Sequence, residues 1–257
     1  MKAYHFNGDA GAARLVRVDV GKPEPASGEV RIRVEAASLN YRDLLTLDRA
    51  GQSGLNGRVP LSDGAGLVDA IGPGVMQWQL GDRVAASFFR DWVSGPFKAS
   101  YVPSALGGNT MDGMLAEYVV LPATALVAVP DHLTSVEAAT LPCAAVTAWH
   151  GLVTRGGMRQ GDTLLVQGTG GVALFGLQFA TALGARAIVI SSSDEKLARS
   201  KSLGASILIN YRDTPEWDVA LMTATDGEGA SHILELGGPG TYDRSQRSVA
   251  SGASSKP

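Results

Sequence analysis

An apolar, strand-forming run at residues 163–167 (TLLVQ) passes directly into Gly168-Thr169-Gly170-Gly171-Val172-Ala173 and then into an apolar stretch that reaches Leu183. Few junctions constrain a chain so strongly. Gly168 permits a tight turn, Gly170 lets backbone approach an anion, and Ala173 is small enough for the following helix to pack against the strand. The helix start adds unpaired N–H groups and the positive end of its dipole. Residues Gly168, Thr169, Gly170, Gly171 and Val172 therefore fit the pyrophosphate of a dinucleotide, although read alone they also describe an ordinary strand-to-helix turn. A second strand ends about 20 residues later, where the side chain that selects the ribose belongs.

That strand ends in Ser191-Ser192-Ser193. An Asp or Glu at this point would bind the ribose hydroxyls and repel a 2′-phosphate, so the serines favour NADP(H), with NAD(H) as the alternative. Ser191 and Ser192 are permissive rather than selective. Lys196, on the next helix, can reach the extra phosphate as a point charge. The competing reading makes Ser192 and Glu195 a capping box and leaves Lys196 and Arg199 solvated.

The chain changes rhythm near residue 129. Before it, short β-type runs at residues 2–6, 30–35, 66–71, 83–89 and 117–121 are separated by Gly, Pro, Asn and Asp. After it, strand, turn and helix alternate, with strands at 163–167, 187–190, 207–210 and 232–236 and helices reaching Leu183, Leu203 and Ala224. Gly184 and Gly204 fit helix C-caps. The expected fold class is α/β with a β-rich N-terminal domain, divided as 1–129 and 130–257. Thr134 and Glu137 have capping-box spacing, and Pro142 is expected to interrupt the helix they open before it resumes through Trp149.

Several function classes drop out. A net charge of -3 with no basic block gives no electrostatic footprint for nucleic acid. No apolar run approaches the ~18 residues of a membrane span, and the N-terminus lacks a secretory apolar core, so a cytoplasmic location is expected. With one cysteine, Cys143, neither an intramolecular disulfide nor a four-cysteine zinc lobe can form. His5, His132, His150 and His232 are scattered, none at ligand spacing to another.

Further segments carry a family likeness: residues 37–43 (ASLNYRD), 68–75 (VDAIGPGV), 81–84 (GDRV), 112–118 (DGMLAEY) and 138–142 (AATLP). With the glycine turn, and from Met1 to about Gly252, they make the chain resemble the medium-chain dehydrogenase/reductase superfamily. The likeness is nearest to its quinone-oxidoreductase-like and zinc-free alcohol-dehydrogenase-like members. It implies a GroES-like barrel followed by a Rossmann domain, with the active site in the cleft between them. The implied reaction transfers hydride between NADP(H) and a small alcohol/carbonyl, enone or quinone substrate.

Zinc-dependent members hold catalytic metal with a cysteine, a His-Glu pair and a later cysteine. Here Asn40 stands at the first position and Ser62-Asp63 at the second; only Cys143 remains. One thiolate cannot replace the roughly three protein ligands of catalytic zinc, so no metal is expected and Cys143 reads as a small buried residue. The resemblance then points to Asn40, Tyr41 and Arg42 as groups that polarise the substrate oxygen, with Asp43 orienting Arg42. From chemistry alone, Asn40 and Asp43 equally end a strand and start a helix. The resemblance also gives Thr147 a contact with the nicotinamide ribose or amide, and lays Tyr211 near the adenosine end; an exposed strand-end tyrosine is the other reading. Residues 237–240 (GGPG) fit a ligand loop or a plain turn. Phe88, Phe89 and Trp92 either line a substrate pocket or, as the preferred reading, pack in the core.

A full Rossmann sheet has about six strands, and only four are legible before residues 251–257 (SGASSKP). The resemblance thus implies an incomplete Rossmann domain lacking the edge through which full-length relatives form dimers or tetramers. The alternative to an active oxidoreductase is a catalytically impaired nucleotide-binding relative or a shortened isoform.

Overall fold

The computed structural model describes residues 1–8, 14–51 and 54–250. Residues 251–257, where the family likeness ends, lie outside the described residues. The backbone divides into two units, Met1–Cys143 and Ala144–Pro257.

In the first unit, β1 (Lys2–Phe6) and β2 (Leu15–Asp19) form an antiparallel pair. A five-stranded antiparallel sheet follows, from β3 (Glu29–Ser38), β4 (Asp63–Ile71), β5 (Arg83–Ala86), β6 (Tyr118–Pro122) and β7 (Leu126–Ala128), in the order β6-β3-β4-β5-β7. Alternation drives it. Val30, Ile32, Val68 and Val84 turn inward onto Leu106, Met114 and Leu121, all buried. Gly66 is required where β4 crosses the bulged β3, because a Cβ there would overlap the Arg33 carbonyl oxygen. Helix α1 (Tyr41–Asp48) leaves the end of β3.

The Thr134–Glu137 capping box forms as expected at the start of α2 (Ser135–Ala138): the Thr134 N–H donates to the Glu137 carboxylate at 2.8 Å, and Thr134 Oγ1 accepts from the Glu137 N–H at 3.2 Å. Pro142 does not interrupt the helical path. The turn widens over Leu141–Ala145, continues as α3 (Val146–Trp149), and widens again over His150–Arg155. A wide turn accommodates the missing N–H and the bulk of the proline ring without a break. The two units divide within this segment rather than at the change of composition near residue 129. Residues beyond 129 still belong to the first core: Ala138 and Ala139 are buried against Ala65 and Val129.

The second unit is a four-stranded parallel sheet of β8 (Thr163–Gln167), β9 (Arg186–Ser191), β10 (Ile207–Asn210) and β11 (His232–Leu234), in the order β10-β9-β8-β11. Helices α4 (Gly171–Ala182), α5 (Asp194–Ser202), α6 (Trp217–Ala224) and α7 (Tyr242–Arg247) accompany it. Successive residues of β8 serve opposite faces. Leu164 and Val166 pack with Ala173, Leu177 and Val189, whereas Leu165 packs with Ile188, Ile190, Trp217 and Leu221. Burial on both faces explains why these strands read as unbroken apolar runs. Gly184 and Gly204, with φ of 73° and 102°, end α4 and α5 in the left-handed conformation expected of C-caps.

One expectation is corrected. Strand β11 stops at Leu234 rather than Leu236, because Glu235 turns into a hydrogen-bond network described below. The four-strand sheet is as expected; past α7, Val249 makes an isolated parallel bridge to Ala230, just ahead of β11. The Ala230 N–H donates to the Ser248 carbonyl at 2.8 Å, and the Ala250 N–H to the Ala230 carbonyl at 2.9 Å. Among the described residues, no helix is long and apolar enough to cross a membrane.

Candidate nucleotide site and polar cluster

All four parallel strands end at one cavity of about 480 Å³. Gln167 and Gly168 line it after β8, Ile190 on β9, Tyr211 after β10, and Leu236 and Gly237 after β11, with Trp217 of α6 as a further wall. Strand β8 has β9 on one side and β11 on the other, so connections leave in opposite directions at this edge, which is where open α/β sheets bind ligands.

Each glycine of the turn has its own reason to be glycine. Gly168 has φ of +78° and donates its N–H to the Ile190 carbonyl at 2.7 Å, a left-handed conformation that side chains resist. Gly170 is different. Its φ of -79° and ψ of -179° suit any residue, and a Cβ there would meet nothing within 4 Å. Neither backbone nor packing demands glycine at 170, so the bare Cα keeps open an approach to the start of α4. No side chain caps that helix, which leaves its first N–H groups available to an anion. Ala173 is buried between α4 and the sheet, as its place in the motif requires. Gly171 and Val172 are the first two residues of the helix.

Ser191 ends β9 buried, and its carbonyl accepts the Tyr211 N–H at 3.1 Å, which brings Tyr211 to the cavity with its ring half-exposed. The Ser192–Glu195 capping box of the alternative reading does not form. Ser193 caps α5, its Oγ accepting the Lys196 N–H at 3.4 Å. Lys196 and Arg199 are exposed on that helix. Thr147 is exposed on α3, one turn beyond Ala144, whose Cβ would lie 3.4 Å from a Cβ on Gly171. Sequence reasoning missed Gln167 and Trp217. A polar residue closing an otherwise apolar strand was the available signal for Gln167; Trp217 reads from sequence only as a helix residue.

In the first unit the structure gathers Asn40, Asp43, Asp63 and Cys143. Asn40 caps α1, and its N–H donates to the Asp43 carboxylate at 2.7 Å. Asp63 is fully buried, accepting from Ser62 Oγ at 2.8 Å and from the Cys143 N–H at 3.0 Å. Burial pushes the Asp63 carboxyl above its ordinary pKa; the Ser62, Asn40 and Cys143 donors oppose this and the Asp43 charge reinforces it. Burial likewise raises Asp43, against the Asn40 N–H and the Arg42 charge. Among the described residues, Asn40 Nδ2 and Asp43 Oδ1 are buried without a hydrogen bond of good geometry.

Arg42 pairs with Asp43 at 3.6 Å, donates to the Leu106 carbonyl at 3.0 Å and lies 4.9 Å from the Phe88 ring. Two further readings change here. Cys143 is half-buried rather than buried. Phe88, Phe89 and Trp92 are not core residues: with Phe97 and Tyr101 they form a partly exposed aromatic cluster, Phe89 lying 4.7 Å from Phe88 and 5.2 Å from Phe97. Tyr41 is 76% exposed.

The cluster offers the Asn40 amide, the Asp43 and Asp63 carboxylates and the single Cys143 thiol, without the second cysteine or the histidine expected of a catalytic zinc set. Among the described residues, no group of three or more His, Cys, Asp or Glu converges as a metal set.

Comparison with known proteins agrees with this architecture. The model of the alcohol dehydrogenase GroES-like domain matches residues 26–131, and that of the zinc-binding dehydrogenase matches residues 171–255. The zinc-type alcohol dehydrogenase-like protein C1773.06c of Schizosaccharomyces pombe is 47% identical over 85% of this chain and 64% of its own length. A putative alcohol dehydrogenase from Sinorhizobium meliloti 1021 superposes with a TM-score of 0.89 at 42% identity, covering 97% of this chain and 73% of that one. The chain belongs to the medium-chain dehydrogenase/reductase superfamily. Its first unit is the GroES-like domain of that superfamily and its second a Rossmann-like one. The mycobacterial protein Rv1454c, solved in complex with NADPH, is 30% identical with a TM-score of 0.78, covering 97% of this chain and 71% of that one. This dehydrogenase/reductase chain spans 64% of the S. pombe relative and 60% of the protein YogA of Leptosphaeria maculans.

Proposed function

We propose that this chain is a zinc-independent, NADP(H)-dependent oxidoreductase acting on a small alcohol/carbonyl, enone or quinone substrate, with NAD(H) as a weaker cofactor. The observation that carries the cofactor assignment is Gly170 at the N-cap of α4, where an extended backbone and open space around the Cα leave an unobstructed approach to the helix start. The N–H groups at the start of α4 hold the pyrophosphate over Gly168, Thr169, Gly170, Gly171 and Val172. Ser191 and Ser192 leave room for a 2′-phosphate, and Lys196 supplies its countercharge. Tyr211 and Trp217 flank the adenosine, and the Thr147 hydroxyl serves the nicotinamide ribose or amide. Bound NADPH supplies hydride.

The first unit contributes a polarising donor. The buried Asn40 amide, which also interacts with the Asp63 carboxyl, carries two N–H groups and is suited to a substrate oxygen on which charge develops. Water or a hydroxyl provides the proton. The half-exposed rings of Phe89, Trp92 and Phe97 suit a planar apolar substrate.

The reading is tested by fluorescence titration with NADPH and NADH, followed by absorbance of the reduced nicotinamide with a carbonyl, enone and quinone panel. Tighter binding of NADPH with turnover supports it. Binding without turnover on any substrate would instead make the chain a nucleotide-binding relative, and equal affinity for NADH would remove the NADP(H) preference.

A further inference from the structure

Leu236, Gly237, Gly240 and Thr241 line the cavity, yet this wall is held by two polar side chains rather than by apolar packing. Glu235 Oε1 accepts from the N–H groups of Gly237 and Gly238 at 2.9 and 3.1 Å and from Thr241 Oγ1 at 2.6 Å. Its Oε2 accepts from Gln167 Nε2 at 2.8 Å and from Ser245 Oγ. Gln167 completes the network. Its Nε2 also donates to Ser245 Oγ at 2.6 Å, and its Oε1 accepts the N–H groups of Leu236 and Gly237 at 3.1 and 3.0 Å. Gln167 is 5% exposed and immediately precedes Gly168, so one pair of side chains fixes both the glycine turn and the opposite wall.

Resting on the nucleotide reading above, we propose that Gln167 and Glu235 are positioning residues, a partly buried latch that sets the spacing between the phosphate-binding turn and loop 236–241 and thereby the fit of the dinucleotide. Their roles are complementary and exchangeable. Glu235→Gln alone sets two amide groups competing for the same acceptors, and Gln167→Glu alone sets two carboxylates side by side. The double exchange Gln167→Glu/Glu235→Gln restores every bond: the new carboxylate at 167 accepts from Leu236, Gly237 and Ser245, and the new amide at 235 donates to it and to Ser245.

The experiment measures NADPH affinity for the wild type, both single variants and the double exchange, together with hydrogen exchange at the Leu236, Gly237 and Gly238 amides without nucleotide. The expected result is roughly a 10- to 100-fold loss of affinity in each single variant, the size of one charged hydrogen bond or somewhat more, with recovery in the exchange. Amide protection should fall and recover in parallel. Thermal melting of the same four proteins separates positioning from stability: affinity should be lost in single variants at temperatures where each remains fully folded. Thr241→Val, which removes one donor at the rim, serves as a milder probe if a single variant does not fold, and should weaken NADPH binding less. Single variants that bind NADPH as the wild type does, or an exchange no better than either single variant, would overturn the proposal. If the wild type binds no NADPH, the nucleotide reading fails, and the amide protection still decides whether the latch exists.

Discussion

Gly170→Ala separates a glycine needed by the fold from one needed by a ligand. The backbone at 170 is extended and the new methyl group would meet no protein atom within 4 Å, so neither strain nor a clash opposes it. Two smaller effects remain. Alanine is a poorer N-cap than glycine, costing roughly 0.5–1.5 kcal/mol. Reduced freedom of the unfolded chain offsets about 0.4–1 kcal/mol of that. The net change stays within about 1 kcal/mol, or a shift of roughly 2–4 °C in Tm for a chain of this size. Binding behaves differently on the proposed nucleotide reading, in which pyrophosphate oxygens approach the start of α4 beside the new methyl group. Displacing one or two N–H bonds to a charged acceptor costs about 1.5–3 kcal/mol each, and 1.4 kcal/mol is tenfold, so NADPH affinity should fall by at least about tenfold. Thermal melting and fluorescence titration on the same sample test both halves. A variant that binds NADPH as tightly as the wild type would refute the phosphate assignment, and one that fails to fold would show that Gly170 serves the protein.

Gly168→Ala should do the reverse on stability: with φ at +78° a side chain costs about 1–2 kcal/mol, read as a lower Tm even without nucleotide. Asn40→Ala should leave NADPH titration unchanged while lowering kcat by roughly 10²–10³, the usual cost of one oxyanion donor; unchanged turnover would remove Asn40 from the chemistry. Acid should open the latch first. Burial alone would raise the Glu235 carboxyl, but the donors from Ser245, Thr241, Gln167 and Gly237 outweigh it and hold it below the usual range. A depressed carboxylate stabilises the fold above its unfolded pKa, and that contribution is lost as pH falls through the folded value. Protection of the 236–238 amides, corrected for intrinsic exchange rates, should therefore decline below about pH 4. Asp43 and Asp63 carry the opposite sign: their raised values mean that protonation favours the folded first unit, so amides around Cys143 should not lose protection in that range through these two groups.

The parts of this molecule legible in sequence are those fixed by local geometry. The TLLVQ strand, the glycine turn, the C-cap glycines 184 and 204 and the Thr134–Glu137 box each depend on a few neighbouring residues, and each stands where the sequence puts it. What was not legible depends on partners distant along the chain. Pro142 signals a break, but the chain can widen its turn instead, and α2 belongs to the first core through Ala65, which no local pattern reveals. The aromatic residues 88, 89 and 92 look like core because large rings usually are; their exposure follows from packing with Phe97 and Tyr101 across a connection whose path the sequence does not specify. Glu235 is the clearest case. At the end of an apolar strand it reads as one more strand residue, and only the return of Thr241 and Ser245, together with Gln167 from a strand 68 residues earlier, turns it into an acceptor with five donors. A carboxylate so fully satisfied holds a loop more firmly than apolar contacts with exposed Leu236 could, since removing any one donor or acceptor leaves another buried group unpaired. The same logic makes the wall of the proposed nucleotide cavity sensitive to single substitutions that touch no ligand.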